Sequence, residues 1–263
     1  MGKKEKNQEK LLRMLRCHGS LLVNDVVAAL ALSEASVRRY FAELEKSGQV
    51  MRFHGGIRLA NVQNSTEYQY NDAASSKTVE KHLIGIAAAE YVVEHDRLFF
   101  DSGSTVFECG VALVDKLAQH EIRNLRIVTN SLAFGTNLVH YCPVTATGGT
   151  IRSNRMDLCG NVALENISRY NFTKAFLGTD GIGANGELST TDEETSAMAE
   201  LVIKRSDEVF ILSDGSKIGR TSFVPYGNLA DKKITLITDS SADAEILSEF
   251  RKRNIKTVTV LKK

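Results

Sequence analysis

The sequence predicts an α/β protein built from two parts, an N-terminal winged helix-turn-helix and a C-terminal Rossmann-like parallel α/β domain. Three short amphipathic segments followed by a basic Gly-Gly turn predict the first part. From about Lys77, helical stretches alternate with short apolar β-rich runs, which predicts a parallel sheet. A length of 263 residues favours two domains. We assign residues 1–60 to the first domain, 61–76 to a linker and 77–263 to the second domain.

The first two helices are predicted from apolar stripes and helix ends. The stripe of residues 8–18 consists of Leu11, Leu12, Met14 and Leu15, and Gly19 is a suitable C-cap. A second helix begins at residues 23–25, with Asn24 as a possible cap, and ends near Leu32. The following connection, residues 31–33, is short, as a helix-turn-helix requires.

The third helix and the turn after it carry the signature of DNA binding. Ser33 is a good N-cap, and Val37, Phe41 and Leu44 predict one buried face, which leaves the neighbours Arg38 and Arg39 outside it. A short β segment then runs into a Gly-Gly turn, which is the layout of a winged helix-turn-helix. The alternative is an ordinary three-helix bundle with surface arginines. We predict that DNA contacts come from Ser33, Ser36, Arg38, Arg39, Arg52, His54, Gly55 and Gly56.

Charge supports the same division of the chain. Residues 1–60 contain eleven Lys or Arg and six Asp or Glu, whereas the remaining 203 residues contain 22 and 26. The first part is therefore basic and the rest mildly acidic. A basic head suits binding to phosphates, although small imbalances of this kind are common.

Cysteine spacing and hydropathy indicate a cytosolic protein. None of the four cysteines, Cys17, Cys109, Cys142 and Cys159, is spaced like a metal pair, so we expect reduced thiols, no metal and no cofactor. No apolar run approaches the roughly 20 residues that span a bilayer, and the first ten residues are charged. We expect a soluble, cytoplasmic protein with no membrane contact.

Seven β-rich runs are predicted in the second domain, at residues 98–101, 126–130, 144–149, 175–180, 209–214, 235–239 and 257–261. Hydroxyl side chains, glycines and carboxylates collect at their carboxyl ends, as in Asp101-Ser102-Gly103-Ser104-Thr105. Ligands bind at that edge of open α/β sheets. Turn chemistry alone also selects these residue types, so the prediction of a ligand site comes from their recurrence after successive strands.

The loop at residues 101–105 is suited to an anionic phosphate. A glycine lets the backbone approach a ligand, and the helix that follows contributes free amides and positive potential. The loop is not a Walker loop, because it is too short and lacks the Gly-Lys-Ser/Thr ending. Lys217 could add a cation to the same phosphate; the alternative is a solvated surface lysine.

The first domain resembles the DeoR family of bacterial transcriptional regulators. That family's Ser, Thr-Ile-Arg-Arg-Asp-Leu, Leu, Gly and Arg-x-His-Gly-Gly are matched by Ser33, residues 36–41, Leu44, Gly48 and residues 52–56. Two departures are Ser36 for Thr and Tyr40-Phe41 for Asp-Leu. Tyr40 removes a carboxylate from the middle of the helix, which bears on the operator sequence but not on DNA binding itself.

The second domain resembles the same family, so that the resemblance covers residues 8–261. The family's Leu-Asp-Ser-Gly-Thr-Thr is similar to residues 100–105, its Thr-Asn-Ser to 129–131, its Phe-Leu-Gly to 176–178 and its Asp-x-Ser-Lys to 214–217. Its Gly-Gly pair corresponds to Gly148 and Gly149, and its acidic segment to residues 191–194. The resemblance implies a fold like ribose-5-phosphate isomerase and glucosamine-6-phosphate deaminase, and a repressor of a carbohydrate-catabolism operon that senses a phosphorylated sugar.

The alternative is a sugar-phosphate isomerase or deaminase with a fused DNA-binding head. Such isomerases carry a Lys-Gly-Gly-Gly loop followed by a Glu base, and residues 183–191 contain no such run. We therefore predict a regulator that is not an enzyme, and whose partners are double-stranded operator DNA, a phosphorylated sugar and further copies of itself, as a dimer or tetramer. The predicted effector site consists of Asp101, Ser102, Gly103, Ser104, Thr105, Asn130, Gly148, Gly149, Asp180, Glu193 and Lys217.

Overall fold

A computed structural model describes residues 3–18, 20–53, 55–59, 68–134 and 138–261. The chain forms two compact units, Met1–Glu67 and Tyr68–Lys263. The boundary falls inside the predicted linker, and the last residues of that linker belong to the second unit, where Tyr70–Ser75 forms helix α4 with Tyr70 buried. The aromatic ring of Tyr70 explains the difference, because it gives this polar stretch an apolar side chain to bury.

The first unit contains three helices and a small antiparallel sheet. The helices are α1 (Lys3–His18), α2 (Val23–Leu30) and α3 (Glu34–Lys46), and the strands are β1 (Ser20–Leu22), β2 (Val50–Phe53) and β3 (Gly56–Leu59). The strand order is β1-β3-β2, so the wing hairpin β2–β3 gains a third strand that was not predicted. The predicted winged helix-turn-helix is confirmed in its helices and its hairpin. Gly19 and His54 lie outside the described residues.

Two details of these helices differ from prediction. Helix α2 begins at Val23 with Leu22 as its cap and no side-chain cap, so Asn24 does not cap it. Tyr40 is buried with Val37, Phe41 and Leu44, and it faces the core rather than the exposed side of α3. Spacings of three and four residues place all four side chains on one face. Position 40 therefore faces the core, and the family's Asp at this position is not replaced on the exposed face of α3.

The second unit is centred on a seven-stranded parallel sheet with the order β15-β14-β12-β9-β4-β5-β6. Its strands are β4 (Arg97–Phe100), β5 (Arg126–Thr129), β6 (Val144–Ala146), β9 (Phe172–Leu177), β12 (Ser206–Leu212), β14 (Ile234–Asp239) and β15 (Lys256–Val260). Each contains or overlaps one of the seven predicted runs, so the parallel α/β prediction is confirmed.

Helices cover both faces of this sheet, as alternating β and α units require. One face packs against α5 (Thr78–Ala89) and α6 (Ser104–Ala118). The other packs against α7 (Asn161–Ser168), α8 (Glu193–Lys204) and α9 (Ala244–Lys252). The core therefore lies in two apolar layers, one on each side of the strands.

Short antiparallel strands add to the second unit and were not predicted. The hairpin β7–β8 joins Thr150–Arg152 to Asp157–Cys159, and a three-stranded sheet contains β10 (Gly181–Ile182), β11 (Glu187–Thr190) and β13 (Val224–Asn228). These strands have two to five residues, too few for a clear alternating pattern. Among the helices that the structure describes, none is both long and apolar enough to cross a bilayer.

Candidate functional site

A cleft lies at the carboxyl ends of the three central strands, β4, β9 and β12. The chain runs from β4 to β5 and β6 on one side and then returns to β9 on the other side, so the strand order reverses between β4 and β9. Ligands of open α/β sheets bind at such a reversal. The loop after β4 and the loop after β9 lie close together: a Cβ built on Gly103 would lie 3.5 Å from the Cα of Gly178. Seven of the predicted effector residues line this cleft, namely Asp101, Ser102, Gly103, Ser104, Thr105, Asp180 and Lys217.

One wall of the cleft is the start of helix α6. The helix is capped by Gly103, and no side chain occupies its first amides. Ser104 and Thr105 are buried in its first turn. Free amides at a helix N-terminus favour an anion, and a glycine at the cap lets a ligand come near them. Phosphate binding by this loop stays a prediction, and the structure places its residues at the cleft.

Lys217 and Asp180 lie on the opposite side of the cleft. Lys217 Nζ donates to the Thr179 carbonyl at 2.7 Å and lies 3.8 Å from Asp180 Oδ1. Asp180 Oδ2 also accepts hydrogen bonds from the side chain of Thr190 at 2.9 Å and the amide of Thr191 at 3.2 Å. These bonds fix the carboxylate, while the Lys217 side chain remains 30% exposed and able to meet a ligand.

Asp101 closes the bottom of the cleft. Its Oδ2 accepts the amide of Gly178 at 3.1 Å, which ties the loop after β4 to the loop after β9. Burial raises the pKa of the Asp101 carboxyl, while the amides of Gly178 and Ser102 act in the opposite direction. This carboxyl can therefore carry a proton at a higher pH than a solvated aspartate, and its first role is to join the two loops.

The cleft contains two large residues that the sequence did not reveal, Arg155 and Tyr68. The guanidinium carbon of Arg155 lies 4.4 Å from the centroid of the Tyr68 ring, within range of a cation–π interaction. Arg155 also donates to Thr191 Oγ1 at 2.7 Å, and its buried Nε has no hydrogen-bond partner among the described residues. Arg155 is in the β7–β8 turn and Tyr68 is in the predicted linker, so no local pattern connects either residue with the strand ends.

A second arginine holds the hairpin β7–β8 against helix α8. Arg152 makes a bidentate pair with Asp157, at 2.9 and 2.6 Å, and donates to Asp192 at 2.8 Å. Burial alone would raise the pKa of Asp192, but the Thr195 amide and Arg152 hold that pKa below its usual range. Asp192 in turn caps α8. Arg152 is thus engaged by carboxylates, and its role is to position the wall that carries Arg155.

The structure does not bring four predicted effector residues to the cleft. Asn130 follows β5, one strand away from the reversal, and is buried under the hairpin, where its carbonyl accepts the Leu158 amide at 2.8 Å. A Cβ on Gly149 would lie 2.3 Å from the Cys159 carbonyl, so close packing accounts for that glycine, and its neighbour Gly148 has a φ of +71°. Glu193 is exposed in the first turn of α8. Residues of these types are common in turns and at helix ends, which accounts for all four positions without a ligand.

The segment that opens the second unit is hydrogen-bonded to the hairpin β7–β8 and to helix α5. The Tyr70 amide donates to the Asn154 carbonyl at 2.8 Å, and Asn154 Nδ2 donates to the Tyr68 carbonyl at 3.4 Å. Lys81 Nζ donates to the Ala73 carbonyl of α4. Burial, and after it the nearby charge of Lys217, lower the pKa of Lys81 to about 8. Tyr68 therefore lines the cleft, and these bonds hold the residues that follow it in place beside the cleft.

The predicted DNA-binding residues lie on and after helix α3. Ser33 accepts the Ser36 amide at 3.3 Å and so caps the helix as predicted. Arg38, Arg39 and Arg52 are exposed, and Arg38 forms an ion pair with Glu34 at 2.6 Å within the helix. Such an exposed pair contributes little to stability, so Arg38 can exchange it for a phosphate. Gly55 has a φ of +82° in the wing turn, and Gly56 packs against the Leu21 carbonyl.

Residues 8–63 match the family described as DeoR-like helix-turn-helix domain, and residues 76–240 match the DeoR C terminal sensor domain. The second match alone covers more than half of the chain. The chain belongs to the DeoR family. It is therefore a DNA-binding transcriptional regulator with a sensor domain, and the predicted family resemblance is confirmed.

Three comparisons illustrate the similarity. The lactose phosphotransferase system repressor of Streptococcus mutans is 30% identical over 93% of this chain and 95% of its own length. The glycerol-3-phosphate regulon repressor of Escherichia coli is 27% identical over 87% of this chain and 88% of its own. Among solved structures, ribose 5-phosphate isomerase A from Methanocaldococcus jannaschii has a TM-score of 0.42 and 16% identity, covering 54% of this chain and 55% of that one.

Proposed function

We propose that this DeoR-family protein is a repressor of carbohydrate-utilisation genes and that a phosphorylated sugar bound in the cleft releases it from operator DNA. The observation that carries the proposal is the cleft at the strand reversal, with the uncapped start of α6 on one side and Lys217 on the other. The names of the relatives, a lactose system repressor and a glycerol-3-phosphate regulon repressor, support the same class of effector. Because operator DNA is the target, the protein works in the cytoplasm.

The two ends of the effector are distinguished by charge. The loop of residues 102–105 and Lys217 hold the phosphate, since backbone amides and an ammonium group donate hydrogen bonds to an anion. The sugar hydroxyls face Asp180, Arg155 and Thr190, which offer both acceptors and donors. Asp101 lies at the bottom of the cleft, where its carboxylate oxygens can accept hydrogen bonds from the sugar hydroxyls.

Binding must widen the cleft. Its volume of about 30 Å3 is close to that of one water molecule, whereas ligand pockets hold about 300–1000 Å3. We expect the Tyr68 side chain to move. Tyr68 is the first residue of the second unit and directly follows the chain that connects it to the DNA-binding unit. Displacing Tyr68 from Arg155 would transmit occupancy of the cleft to that connection. An effector shifts DNA affinity only by its difference in affinity for the two states.

We propose that the cleft senses the sugar phosphate and does not convert it. Asp180, a carboxylate at the sugar end, already accepts bonds from Thr190 and Thr191, and Asp101 accepts the Gly178 amide. A general base must be free to take a proton from the substrate. Incubation with ribose 5-phosphate or glucosamine 6-phosphate should give no product by NMR, and turnover would favour the isomerase or deaminase alternative.

The effector proposal is tested by operator release. Operator fragments are first selected by the protein from random duplex DNA, and sugar phosphates are screened by thermal shift, because a ligand of the folded state raises the melting temperature. Lys217→Ala should bind the operator as wild type does and should need at least about tenfold more effector for release.

The matched control is Lys232→Ala, which removes an exposed lysine of the same unit outside the cleft. It should respond at the wild-type effector concentration. If Lys217→Ala also responds at that concentration, or if unphosphorylated sugars release the operator equally well, the phosphate is not held where we propose.

A further inference from the structure

A second cavity lies at the opposite edge of the seven-stranded sheet, where the strands begin. Its volume is about 550 Å3, in the range of small-molecule pockets. Its walls come from the first residues of β4, β5 and β9 and from the segment that joins α7 to β9. The cavity and the effector cleft are thus at opposite ends of the same strands.

Two arginines face each other across neighbouring strands at this edge. Arg97 of β4 and Arg126 of β5 are register partners. Each lies two residues before a member of the apolar layer on the α7–α8 face, Phe99 and Val128, so alternation places both arginines on that face. Strands are about 4.8 Å apart, and like charges directly opposite each other destabilise a sheet. Both side chains are exposed, so water screens part of this repulsion, and an anion between the two guanidinium groups would relieve the rest.

Nothing in the described part of the chain neutralises this pair. Neither guanidinium group has a hydrogen bond or an ion pair with a described residue. A third arginine of the cavity, Arg169, pairs at 2.7 Å with Glu165, but both side chains are more than 60% exposed, so that pair is weak. The described residues that line the cavity include three arginines and no carboxylate. The effector cleft, in contrast, balances Lys217 and Arg155 with two aspartates.

The cavity also contains an aromatic wall. Tyr170 is partly exposed, and its ring stacks on the buried Phe172 with a centroid distance of 6.2 Å and an interplanar angle of 24°. The adjacent Asn171 accepts a hydrogen bond from Arg205 at 3.4 Å. A planar group could lie against the held Tyr170 ring while its charged end reaches the arginines.

We propose that this cavity is a second ligand site, which binds a nucleoside polyphosphate. Arg97, Arg126 and Arg169 take the phosphates, since a guanidinium group pairs bidentately with phosphate oxygens. The base lies on Tyr170. A single monophosphate would leave the cavity under-filled and the third arginine without an anion. The regulator would thus receive an energy-state signal at one end of the sheet and a sugar signal at the other.

The test measures binding of ATP to the full-length protein by calorimetry at low ionic strength, because salt weakens charged contacts. ATP should bind, tripolyphosphate should bind more weakly, and adenosine alone should show no binding. Arg97→Ala/Arg126→Ala should raise the Kd for ATP by at least about tenfold. Arg251→Ala, an exposed arginine of α9 outside the cavity, and Lys217→Ala should leave it unchanged, which separates this site from the effector cleft.

Three results would overturn the proposal. The first is no ATP binding at millimolar concentration, and the second is binding that the double variant retains at full strength. The third is a double variant that melts several degrees below wild type, because the arginines would then be structural; removing two like charges should leave the melting temperature equal or higher. If the wild type does not bind ATP and the double variant loses affinity for random duplex DNA, the two arginines contact the DNA backbone instead.

Discussion

Lys81 shows how one buried residue of helix α5 holds the segment that precedes it. The side chain is only 3% exposed, and its ammonium group donates to the Ala73 carbonyl and to Ser76 Oγ. Burial and the charge of Lys217 lower its pKa to about 8, while Asp214 and Glu108 oppose the shift. An anion in the cleft would reverse part of this shift, because it would stabilise both lysines in their charged form.

The lowered pKa of Lys81 predicts how stability depends on pH. Between pH 8 and about 10.5 the unfolded lysine keeps its proton while the folded one has lost it, so the unfolded state binds more protons and the free energy of unfolding rises with pH. Below pH 8 both states are protonated and this contribution is flat. The raised pKa values of Cys109, Cys142 and Cys159 act in the opposite direction, and equally in both proteins. In urea unfolding between pH 7 and 10, the free energy of unfolding of wild type minus that of Lys81→Met should therefore rise with pH.

The control is Lys232→Met, in which an exposed lysine is replaced. It should follow the wild-type curve. Equal slopes for Lys81→Met and wild type would mean that Lys81 is not the titrating group.

At the scale of elements, helix α3 carries the DNA-contact prediction. Arg39 is exposed beside the buried face of α3, with its guanidinium carbon 5.8 Å from the Tyr40 ring centroid. If Arg39 reads a guanine, Arg39→Ala should weaken operator binding by about 1–3 kcal/mol in a gel-shift titration. Arg13→Ala, an exposed arginine of α1, is the matched control. Unchanged affinity in an Arg38→Ala/Arg39→Ala variant would exclude this face of α3 from the interface.

The pair α5 and α6 packs closely because a glycine lies at the contact. A Cβ added to Gly85 would lie 2.5 Å from the carbonyl carbon of Glu108, which is backbone and cannot rotate away. Gly85→Ala should therefore lower the free energy of unfolding by about 1–3 kcal/mol, as overpacking does. Ile86→Ala, at an exposed position of the same helix, should change it by less than about 0.5 kcal/mol. Chemical unfolding measures both, and an unaffected Gly85→Ala would show that the helices can separate without cost.

The central sheet could be predicted from the sequence, because its strands are compact apolar runs, and those in the middle of the sheet are buried on both faces. The edge where ligands bind could also be predicted, since Asp101, Asp180 and Lys217 immediately follow such runs. Arg155 and Tyr68 could not, because their proximity depends on how the short hairpin β7–β8 and the segment before α4 fold back. Asn130 has the same local signature as Asp101, and only the strand order shows that its strand ends outside the reversal.

At the scale of the whole molecule, we expect recognition of a specific DNA site to need more than one copy of the chain. One α3 helix spans few base pairs, and helix-turn-helix proteins solve this by pairing two heads on a symmetric site. The second unit offers apolar surface for such pairing, because Ile151 is 64% exposed and Phe223 is 75% exposed. We therefore expect the second unit to supply much of the interface between copies.

Sedimentation of the full-length protein tests this expectation. At micromolar concentration the mass should be at least twice the 28.9 kDa of one chain, with and without operator DNA. Because apolar burial is insensitive to screening, the mass should persist in high salt, whereas DNA binding by the basic head should weaken. An operator shortened to one half-site should bind much more weakly than the symmetric site. A monomer that binds both fragments equally well would contradict the prediction and would leave a single head to select the operator.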